Sequence, residues 1–414
     1  MLIKGYLLIS IFFLQFFSLF AQKKDVNHFY MPAEWEPQQA VWVGLFGNPE
    51  RDTVSAAIIK ALYHNVQVRL NYNSYYGKKR SNDFFNQLQI DTTKLQWLED
   101  SLPNAWVRDP GPLFIKNKKG EQKIIDFNWI EYGHYLIYKT SLSKSDYKRG
   151  RADIRMAAKL NLPVISTPIV AEGGGIETNG EGVLMSIEET ALQRNTGKTL
   201  QEIETEYLRV TGCKKMIWLK RMLLHDKTVP DLLIENWSST GANGHIDEAV
   251  RFVGTNTIVV AKIDEEERNS NPISNVDYET LEEYCATLKK ATDVNGKPFK
   301  IIRMPAPDLN VFARSYVLTT SSIKRFSEKF PFKIGDTVKT VPAVSYMNFF
   351  ISNNVVLIAK YWKEGMPLKE KEKDEAAKNI LAGIFPDRKI IQINPLPVNY
   401  LGGGIHCITQ QQPK

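Results

Sequence analysis

The sequence predicts a mixed α/β protein whose units close around an axis as an α/β propeller. Short strand pairs recur along the chain, and turns rich in Gly and Asn join them, which is typical of β-hairpins. A polar, often glycine-bearing segment precedes each pair, and helical stretches separate the pairs. Units of this kind usually pack around a common centre. The alternative is a larger α+β protein in which hairpins simply recur.

The first hundred residues predict a strand, a helix and a second strand before weaker patterns follow. Apolar runs indicate the strands, and the Gly47–Pro49 segment is a stop signal after the first of them. The predicted elements are a strand over Ala40–Phe46, a helix over Asp52–Tyr63, a strand over Val66–Tyr72, a helix over Asp83–Leu88 and a strand edge over Thr92–Leu98.

Four hairpins and four helices are predicted in the rest of the chain, before a last glycine-led segment at 402–413. The hairpins pair Trp106–Ile115 with Lys123–Phe127, Glu172–Glu177 with Val183–Ser186, Gly244–Val253 with Thr257–Ala261, and Tyr346–Ile351 with Val355–Ala359. The helices between them are Lys148–Leu160, Thr199–Val210, Tyr278–Ala291 and Lys371–Ile384.

The composition is that of a globular protein with a large core. The chain has 414 residues, of which 43% are hydrophobic and 24% charged, and its net charge is +7. The lysines are spread along the chain and alternate with acids, as in Lys369–Lys373. This pattern favours a solvated surface over a nucleic-acid site, so no nucleic-acid partner is predicted.

The N-terminus has the pattern of a secretory signal peptide. Lys4 precedes an apolar run over Tyr6–Phe20, and Ala21 offers a small residue for cleavage. We therefore expect a signal peptide at 1–21, a single domain at 22–414, and an extracytoplasmic protein without stable membrane association after cleavage. An uncleaved membrane anchor is the alternative, although the run is short for a spanning helix.

The three cysteines leave at least one thiol free in a secreted chain. Cys213 and Cys285 could pair, or all three could be free; Cys285 lies on a predicted amphipathic helix and should be buried. Cys407 follows three glycines near the end of the chain, which allows a close approach of the backbone to a ligand. The alternative is that Cys407 has a structural role, as a thiol packed in the core near the end of the chain.

The segments that lead into the hairpins carry chemically capable side chains. If the units share an axis, these side chains meet there, although each alone could serve a turn. In chain order they are Asp109, Glu172, His245, Asp247, Asn348 and Cys407.

Strand alternation indicates which side chains share a face. Residues i and i+2 of a strand point to the same side, so His245 and Asp247 should point together, and His406 should point away from the face of Cys407. We therefore expect His245 to pair with Cys407. An imidazolium there would give the cysteine its thiolate character.

The excess of acids favours a cationic substrate. Carboxylates around a thiolate repel it unless a cation lies between them. A guanidinium is a planar cation that donates bidentate hydrogen bonds to carboxylates, which favours guanidine chemistry. A metal bound by Gly244–Asp247 and Cys407 is the alternative, but the ligands are too few and their spacing is unfamiliar, so no metal is predicted.

Five segments together resemble the agmatine deiminase and Porphyromonas-type peptidylarginine deiminase family. They span the chain in the order of the family motifs and are Met31–Pro37, Trp106–Pro112, Glu172–Gly175, Gly244–Asp247 and Gly402–Pro413. Departures at Pro110 and Gly175 concern loop shape. The resemblance implies a five-bladed α/β propeller (pentein) with pseudo-fivefold symmetry, formed by a single deiminase domain, and neither a metal nor an organic cofactor.

The resemblance also implies a role for each of seven residues. These roles are nucleophile for Cys407, general acid and base for His245, guanidinium clamps for Asp109 and Asp247, orientation of the histidine for Glu172, an active-site amide for Asn348, and a pocket wall for Trp106. The implied reaction converts agmatine to N-carbamoylputrescine and ammonia through a covalent thiouronium on the cysteine.

The sequence leaves several alternatives open beside agmatine. Peptidyl arginine with a free carboxylate would need arginines near the pocket, and Arg149 and Arg151 could serve only if their loop folds back. Against agmatine stands the predicted signal peptide. Two other functional classes are also open: an amidinotransferase and a non-catalytic protein that binds cationic ligands. The oligomeric state is not predicted.

Overall fold

The computed structural model describes residues 27–137, 139–228, 233–323 and 331–414. The signal peptide predicted at 1–21 lies outside these ranges. Within them, no helix is both long and apolar enough to cross a membrane.

Strands and helices alternate along the whole described chain, which confirms the mixed α/β class. The strands are β1 Gln38–Val43, β2 Gln67–Tyr72, β3 Leu95–Glu99, β4 Leu113–Lys116, β5 Gln122–Asp126, β6 Val164–Ser166, β7 Ile176–Thr178, β8 Val183–Ile187, β9 Lys215–Leu219, β10 Trp237–Ser239, β11 Val250–Gly254, β12 Thr257–Lys262, β13 Lys300–Pro305, β14 Arg314–Val317, β15 Thr337–Val341, β16 Phe350–Ile351, β17 Val355–Ala359, β18 Lys389–Ile393 and β19 Thr409–Pro413. The helices are α1 Pro49–Leu62, α2 Tyr75–Gln87, α3 His134–Ile137, α4 Lys144–Arg149, α5 Ala152–Leu160, α6 Glu188–Arg194, α7 Leu200–Thr211, α8 Glu265–Arg268, α9 Pro272–Lys290, α10 Leu309–Phe312, α11 Thr320–Ile323, α12 Leu368–Ile384 and α13 Leu396–Asn399. Single 3₁₀ turns occur at Thr92–Lys94, Glu131–Gly133, Gly173–Gly175 and Ile246–Glu248.

Five of the six sheets formed by the described residues repeat one plan. In each of the five, a middle strand pairs antiparallel with one neighbour and parallel with the strand that follows it in sequence. The orders are β19-β1-β2-β3, β4-β5-β6, β7-β8-β9, β11-β12-β13 and β16-β17-β18. The sixth sheet has the same mixture of pairings, but its middle strand, β15, is the last of its three strands in sequence. The first sheet joins the two ends of the described chain, because β19 pairs with β1, with Gln410 opposite Trp42.

The middle strands form the core of each unit. Strands β8 and β17 are buried at every position, as expected for near-continuous apolar runs covered on both faces. Helices cover these sheets, and their ends follow local signals. Helix α7 begins after a capping box made by Thr199 and Glu202 and ends at Gly212, whose φ is +68°.

All four predicted hairpins are confirmed, as β4–β5, β7–β8, β11–β12 and β16–β17. The predicted helices are also present with shifted ends. Helix α1 begins at Pro49 because the side chain of Asn48 caps it, and the helix predicted over 148–160 is divided into α4 and α5. The sixth sheet, β10-β15-β14, was not predicted.

The strand predicted through Gly244–Val253 is wrong in its first half. Residues Ile246–Glu248 form a 3₁₀ turn, and β11 begins only at Val250. The physical reason is Asp226, whose carboxylate accepts hydrogen bonds from the backbone N–H groups of Gly244 and His245 at 2.8 and 2.7 Å. These donors are therefore not available to a strand ladder. Residues 401–408 likewise form turns before β19.

Candidate active site

The side chains that lead into the hairpins converge, as predicted. His245 Nδ1 lies 3.8 Å from Asp109 Oδ1, and its Nε2 lies 3.8 Å from Glu172 Oε2. Asn348 Nδ2 lies 3.3 Å from Cys407 Sγ. All of these residues are buried, so the chain gathers a thiol, an imidazole and several carboxylates in one interior cluster.

The imidazole of His245 is neutral in this environment. Burial, followed by the charge of Arg194, holds its pKa well below the usual 6.5. Neither ring nitrogen has a hydrogen-bond partner among the described residues. The structure therefore disfavours the imidazolium expected beside the thiol, because burial and the charge of Arg194 both oppose a charged ring.

His245 and Asp247 do lie together, but not for the predicted reason. Their Nδ1 and Oδ1 atoms are 4.0 Å apart, and the 3₁₀ turn, not strand alternation, places them. The same correction applies to His406, which precedes Cys407 in a turn. Its Nδ1 lies 2.6 Å from Asp247 Oδ2, so it contacts a predicted clamp instead of pointing away from the site.

Arg194 holds Glu172 in place and was not found from the sequence. Its Nε donates to Glu172 Oε1 at 2.8 Å, and its Nη2 donates to the backbone oxygens of Ala242 and Asn243 at 3.2 and 3.0 Å. One guanidinium therefore ties Glu172 to the loop that carries His245. Arg194 lies on α6, where a single arginine gives no sequence signal of this contact.

Asp109 accepts two hydrogen bonds from neighbouring residues. The donors are Gly174 N at 3.1 Å and the Tyr132 hydroxyl at 3.0 Å. Burial, reinforced by the charge of Glu172, still raises the pKa of Asp109 to about 7. Tyr132 has a φ of +57° and follows Glu131 at +52°. Such backbone strain often marks functional segments, but the sequence alone does not reveal it.

Asp247 and Glu248 form the most strongly perturbed acidic pair of the site. Burial raises the pKa of both well above the usual range, and nearby carboxylates add to the effect. Asp247 Oδ1 and Glu248 Oε2 have no hydrogen-bond partner among the described residues, whereas Glu248 Oε1 accepts from Asn348 Nδ2 at 2.9 Å. Glu248 was missed, although it directly follows Asp247.

Cys407 is buried, as a packed structural thiol would be, but the side chains around it are acidic. Burial and the charges of Asp247, Glu248 and Asp109 raise the pKa of its thiol well above 9.0. The preceding glycines are needed for close approach: a Cβ on Gly403 would lie 2.6 Å from the ring of Trp106 and 3.0 Å from Cys407 Sγ.

The other two cysteines are unpaired. Cys213 and Cys285 are buried free thiols, and so is Cys407. Of the two alternatives that the sequence left open, the structure therefore shows the one without a disulfide.

A cation of some kind would complete this cluster. One donor atom each from Asp247, Glu248 and Cys407 lies within 4.8 Å of the others, so a metal ion could be considered there. Two carboxylates and a thiol do not match the familiar zinc sets. Among the described residues, no Lys or Arg forms an ion pair with Asp109, Asp247 or Glu248, and a planar organic cation suits these three carboxylates better.

The comparison with known proteins identifies the family. The family model of the Porphyromonas-type peptidyl-arginine deiminases matches residues 30–413. This chain belongs to that family. Its members are hydrolases that act on carbon–nitrogen bonds, and the chain is an enzyme of this class. The family match covers every predicted site residue.

Curated relatives of this deiminase span nearly its whole length. It is 26% identical over 412 residues to the agmatine deiminase of Medicago truncatula, covering 93% of this chain and 96% of the relative. It is 27% identical over 407 residues to that of Pseudomonas syringae pv. syringae, covering 93% and 95%.

Solved structures show the same mixed α/β fold for this deiminase. The agmatine deiminase of Enterococcus faecalis matches with a TM-score of 0.72 at 23% identity, covering 94% of this chain and 96% of that chain. The agmatine deiminase of C. jejuni matches with a TM-score of 0.68 at 20% identity, covering 93% and 96%.

Replacement of Gly174 by alanine is expected to abolish most of the deiminase activity. A Cβ there would lie 2.5 Å from His245 Nδ1 and 3.0 Å from Asp247 Oδ2, so the imidazole has to move. Gly175→Ala is the matched control, because its Cβ would meet only Glu172 Oε2 at 3.8 Å. Steady-state ammonia release should fall at least about 100-fold for the first variant, since small misplacements of reacting groups cost this much, and should change little for the second. Equal losses in both would contradict this geometry.

Asp109 is expected to contribute a loss of stability to the deiminase as the pH rises from about 4 to about 7. The pKa of Asp109 is raised from 3.8 to about 7 on folding, so the folded state binds more protons in this window and the free energy of unfolding falls with pH. Denaturant unfolding at several pH values in this range should show a smaller fall in the free energy of unfolding with pH for Asp109→Asn than for the wild type. An equal fall in the two proteins would show that Asp109 does not titrate this way.

Proposed function

We propose that the protein hydrolyses agmatine to N-carbamoylputrescine and ammonia through a covalent thiouronium on Cys407. The observation that carries this proposal is the cluster of buried acidic side chains around a thiol. Asp109, Asp247 and Glu248 converge there, and no Lys or Arg among the described residues pairs with them.

A guanidinium has the charge and the shape that this cluster lacks. Its planar fork of N–H donors matches carboxylates on its edges, and Asp247 Oδ1 and Glu248 Oε2 are acceptors without a partner in the described chain. Asp109 can bind the opposite edge if the Tyr132 hydroxyl yields its position at 3.0 Å. Trp106 would then border the pocket beside the thiol.

The cation also activates the nucleophile. Burial and the neighbouring acids hold the pKa of the Cys407 thiol high, and a bound guanidinium offsets those acids and favours the thiolate. The neutral His245, whose Nδ1 and Nε2 are both without a partner, is then available to accept the thiol proton.

The reaction follows in two stages. The sulfur of Cys407 attacks the guanidinium carbon, a carbon–nitrogen bond breaks, and His245 returns its proton to the leaving ammonia. His245 then takes a proton from water, whose oxygen adds to the thiouronium carbon. The carbon–sulfur bond breaks, and the ureido product and the thiol are released.

The paired states of Arg149 and Arg151 favour agmatine over a substrate with a carboxylate. Arg151 Nη1 lies 2.7 Å from both oxygens of Asp126. Arg149 forms ion pairs with Asp146 at 2.5 Å and Glu131 at 3.3 Å. Their charges are therefore already offset, and the curated relatives that span this chain are agmatine deiminases.

C-terminal peptidyl arginine is the second candidate substrate. The family description favours it, and so does the position of Arg149, whose partner Glu131 directly precedes the Tyr132 that contacts Asp109. A substrate carboxylate could exchange for Glu131 on this arginine.

Ammonia release across four guanidines tests the proposal. The substrates are agmatine, free arginine, and peptides with internal or with C-terminal arginine, and the products are identified by mass. We expect agmatine to be converted fastest, to N-carbamoylputrescine. Preferential formation of citrulline in C-terminal arginine peptides would establish the second candidate. A new guanidine formed on an added amine would show an amidinotransferase, and no conversion at all would leave a cationic-ligand binder.

We also infer that the five like sheets close into a five-bladed propeller with pseudo-fivefold symmetry. Two facts support this. The β1–β19 pair joins the chain ends, and the segments before successive sheets bring their side chains to one cluster. The first residues, 1–21, are proposed as a cleaved signal peptide of an extracytoplasmic protein; N-terminal sequencing of the exported protein should begin at Gln22.

A further inference from the structure

His406 lies between two buried carboxylates on opposite edges of its ring. Nδ1 is 2.6 Å from Asp247 Oδ2, and Nε2 is 2.7 Å from Glu34 Oε2. All three side chains are buried. Only one of the two acids, Asp247, belongs to the cluster around Cys407, so His406 connects that cluster to a second group of charges.

Glu34 is ionised and fixes the proton on Nε2. Its Oε2 lies 3.0 Å from Arg251 Nη2 and 3.5 Å from Arg108 Nη2, and its Oε1 accepts from Ile351 N at 2.6 Å. The guanidinium of Arg251, the hydrogen bond from His406 and the guanidinium of Arg108 together outweigh burial and hold the pKa of Glu34 well below its usual range. An ionised Glu34 can only accept, so Nε2 carries a hydrogen and donates it.

One proton must then lie between Nδ1 and Asp247 Oδ2, since a contact of 2.6 Å between two bare acceptors would be repulsive. Two carboxyl groups and a thiol lie near Asp247, namely Glu248 on the same 3₁₀ turn and Asp109 and Cys407 on other elements. Together with burial they favour the protonated acid. Arg108 and Arg251 act against them on Asp247, but the net effect is a raised pKa. Arg108 and Arg251 face His406 and, with burial, lower its pKa. Without a ligand the proton therefore belongs to Asp247, and His406 is neutral.

We propose that binding of a guanidinium moves this proton from Asp247 Oδ2 to His406 Nδ1. The O–H bond of Asp247 breaks and the N–H bond of His406 forms, so the pair keeps its total charge. The clamp becomes a carboxylate just when a cation reaches its free Oδ1, and the imidazolium is stabilised on its far side by Glu34. This inference rests on the proposed function.

The consequence is a clamp that ionises without exchanging a proton with solvent. A buried acid with a raised pKa would otherwise have to release its proton to water before it binds a cation at neutral pH. His406 is thus a positioning residue that acts through Asp247. The pair of His225 and Asp277 has a similar contact of 2.7 Å, but its Nε2 has no partner in the described chain, so the second carboxylate distinguishes His406.

The protonation state of His406 can be read directly by nitrogen-15 NMR of the histidine-labelled Cys407→Ala protein, which does not turn over. Titration with agmatine should move one Nδ1 signal from the unprotonated to the protonated range, and a His406→Asn spectrum assigns it. Binding of agmatine with Nδ1 unprotonated throughout, or already protonated without ligand, would overturn the inference and leave the proposed function standing. Failure to bind agmatine at all would overturn both.

Binding calorimetry gives a second test in the same Cys407→Ala background. Asparagine at 406 can still hydrogen-bond Asp247 but cannot take its proton. In buffers of different ionisation enthalpy at pH 7, agmatine binding to His406→Asn should release one more proton than binding to its parent. As the pH is raised, the affinity of the His406→Asn variant for agmatine should increase about tenfold per pH unit relative to that of the Cys407→Ala protein, until Asp247 is ionised before binding. Equal proton release and parallel pH profiles would show that His406 only fills space.

Discussion

The Cys407→Ala enzyme is expected to release no measurable ammonia from agmatine while it keeps its fold. Loss of a covalent nucleophile lowers kcat by at least about 10⁴-fold in comparable enzymes. The fold should persist because the short polar contact of the thiol is with one side chain, Asn348 Nδ2 at 3.3 Å, and because its removal takes a group with a raised pKa out of an acidic cluster. Steady-state ammonia release and thermal unfolding measure the two effects.

Cys285→Ala is the matched control for this variant. Cys285 is also a buried free thiol, but it lies on α9. Its replacement should leave kcat within about twofold, although it leaves a small cavity. Retained turnover in Cys407→Ala, or equal losses in both variants, would rule out the covalent mechanism.

The Asp247→Asn enzyme is expected to lose about 10² to 10³-fold in kcat/KM for agmatine. Truncating one partner of a buried charge pair costs about 2–5 kcal/mol, and each 1.4 kcal/mol is tenfold. The loss should appear mainly as a higher KM, because an amide at 247 can still contact His406 but cannot balance a guanidinium. The free energy of unfolding should be unchanged or higher, since burial disfavours the charged form of Asp247.

Asp153→Asn is the control that separates the loss of a substrate-binding carboxylate from the general effect of removing a buried acid. Asp153 lies on α5, and burial raises its pKa as well, but it is not among the side chains that surround Cys407. Its replacement should leave the KM for agmatine unchanged. A KM that is the same in Asp247→Asn as in the wild type would show that Asp247 does not hold the substrate.

The repeated hairpins could be predicted because their signals are local. A Gly/Asn turn between two apolar runs decides a hairpin within about fifteen residues, as in β7 and β8. The sixth sheet could not be predicted in this way. Strand β10 pairs with β15 across a hundred residues, both are rich in Ser, Thr and Lys, and β14 is exposed at all four positions.

The convergence of the candidate site residues could be predicted from the plan of the chain, but their geometry could not. The expected convergence pointed to His245 and Asp247. The 3₁₀ turn that orients them depends on Asp226, which lies 18 and 19 residues before the backbone N–H groups that it binds and belongs to none of the motifs recognised in the sequence. Glu34 contacts a residue 372 positions away, and Arg194 acts on backbone oxygens near 243. Such contacts exist only in the folded chain.

The most direct test of the account is the mass of the enzyme during turnover. Wild-type enzyme is mixed with agmatine, quenched in acid within milliseconds, digested and analysed by mass spectrometry. The account predicts that the peptide with Cys407 gains the mass of agmatine minus ammonia, and that the peptides with Cys213 and Cys285 do not. Steady ammonia release with no adduct on Cys407 at any time would contradict it.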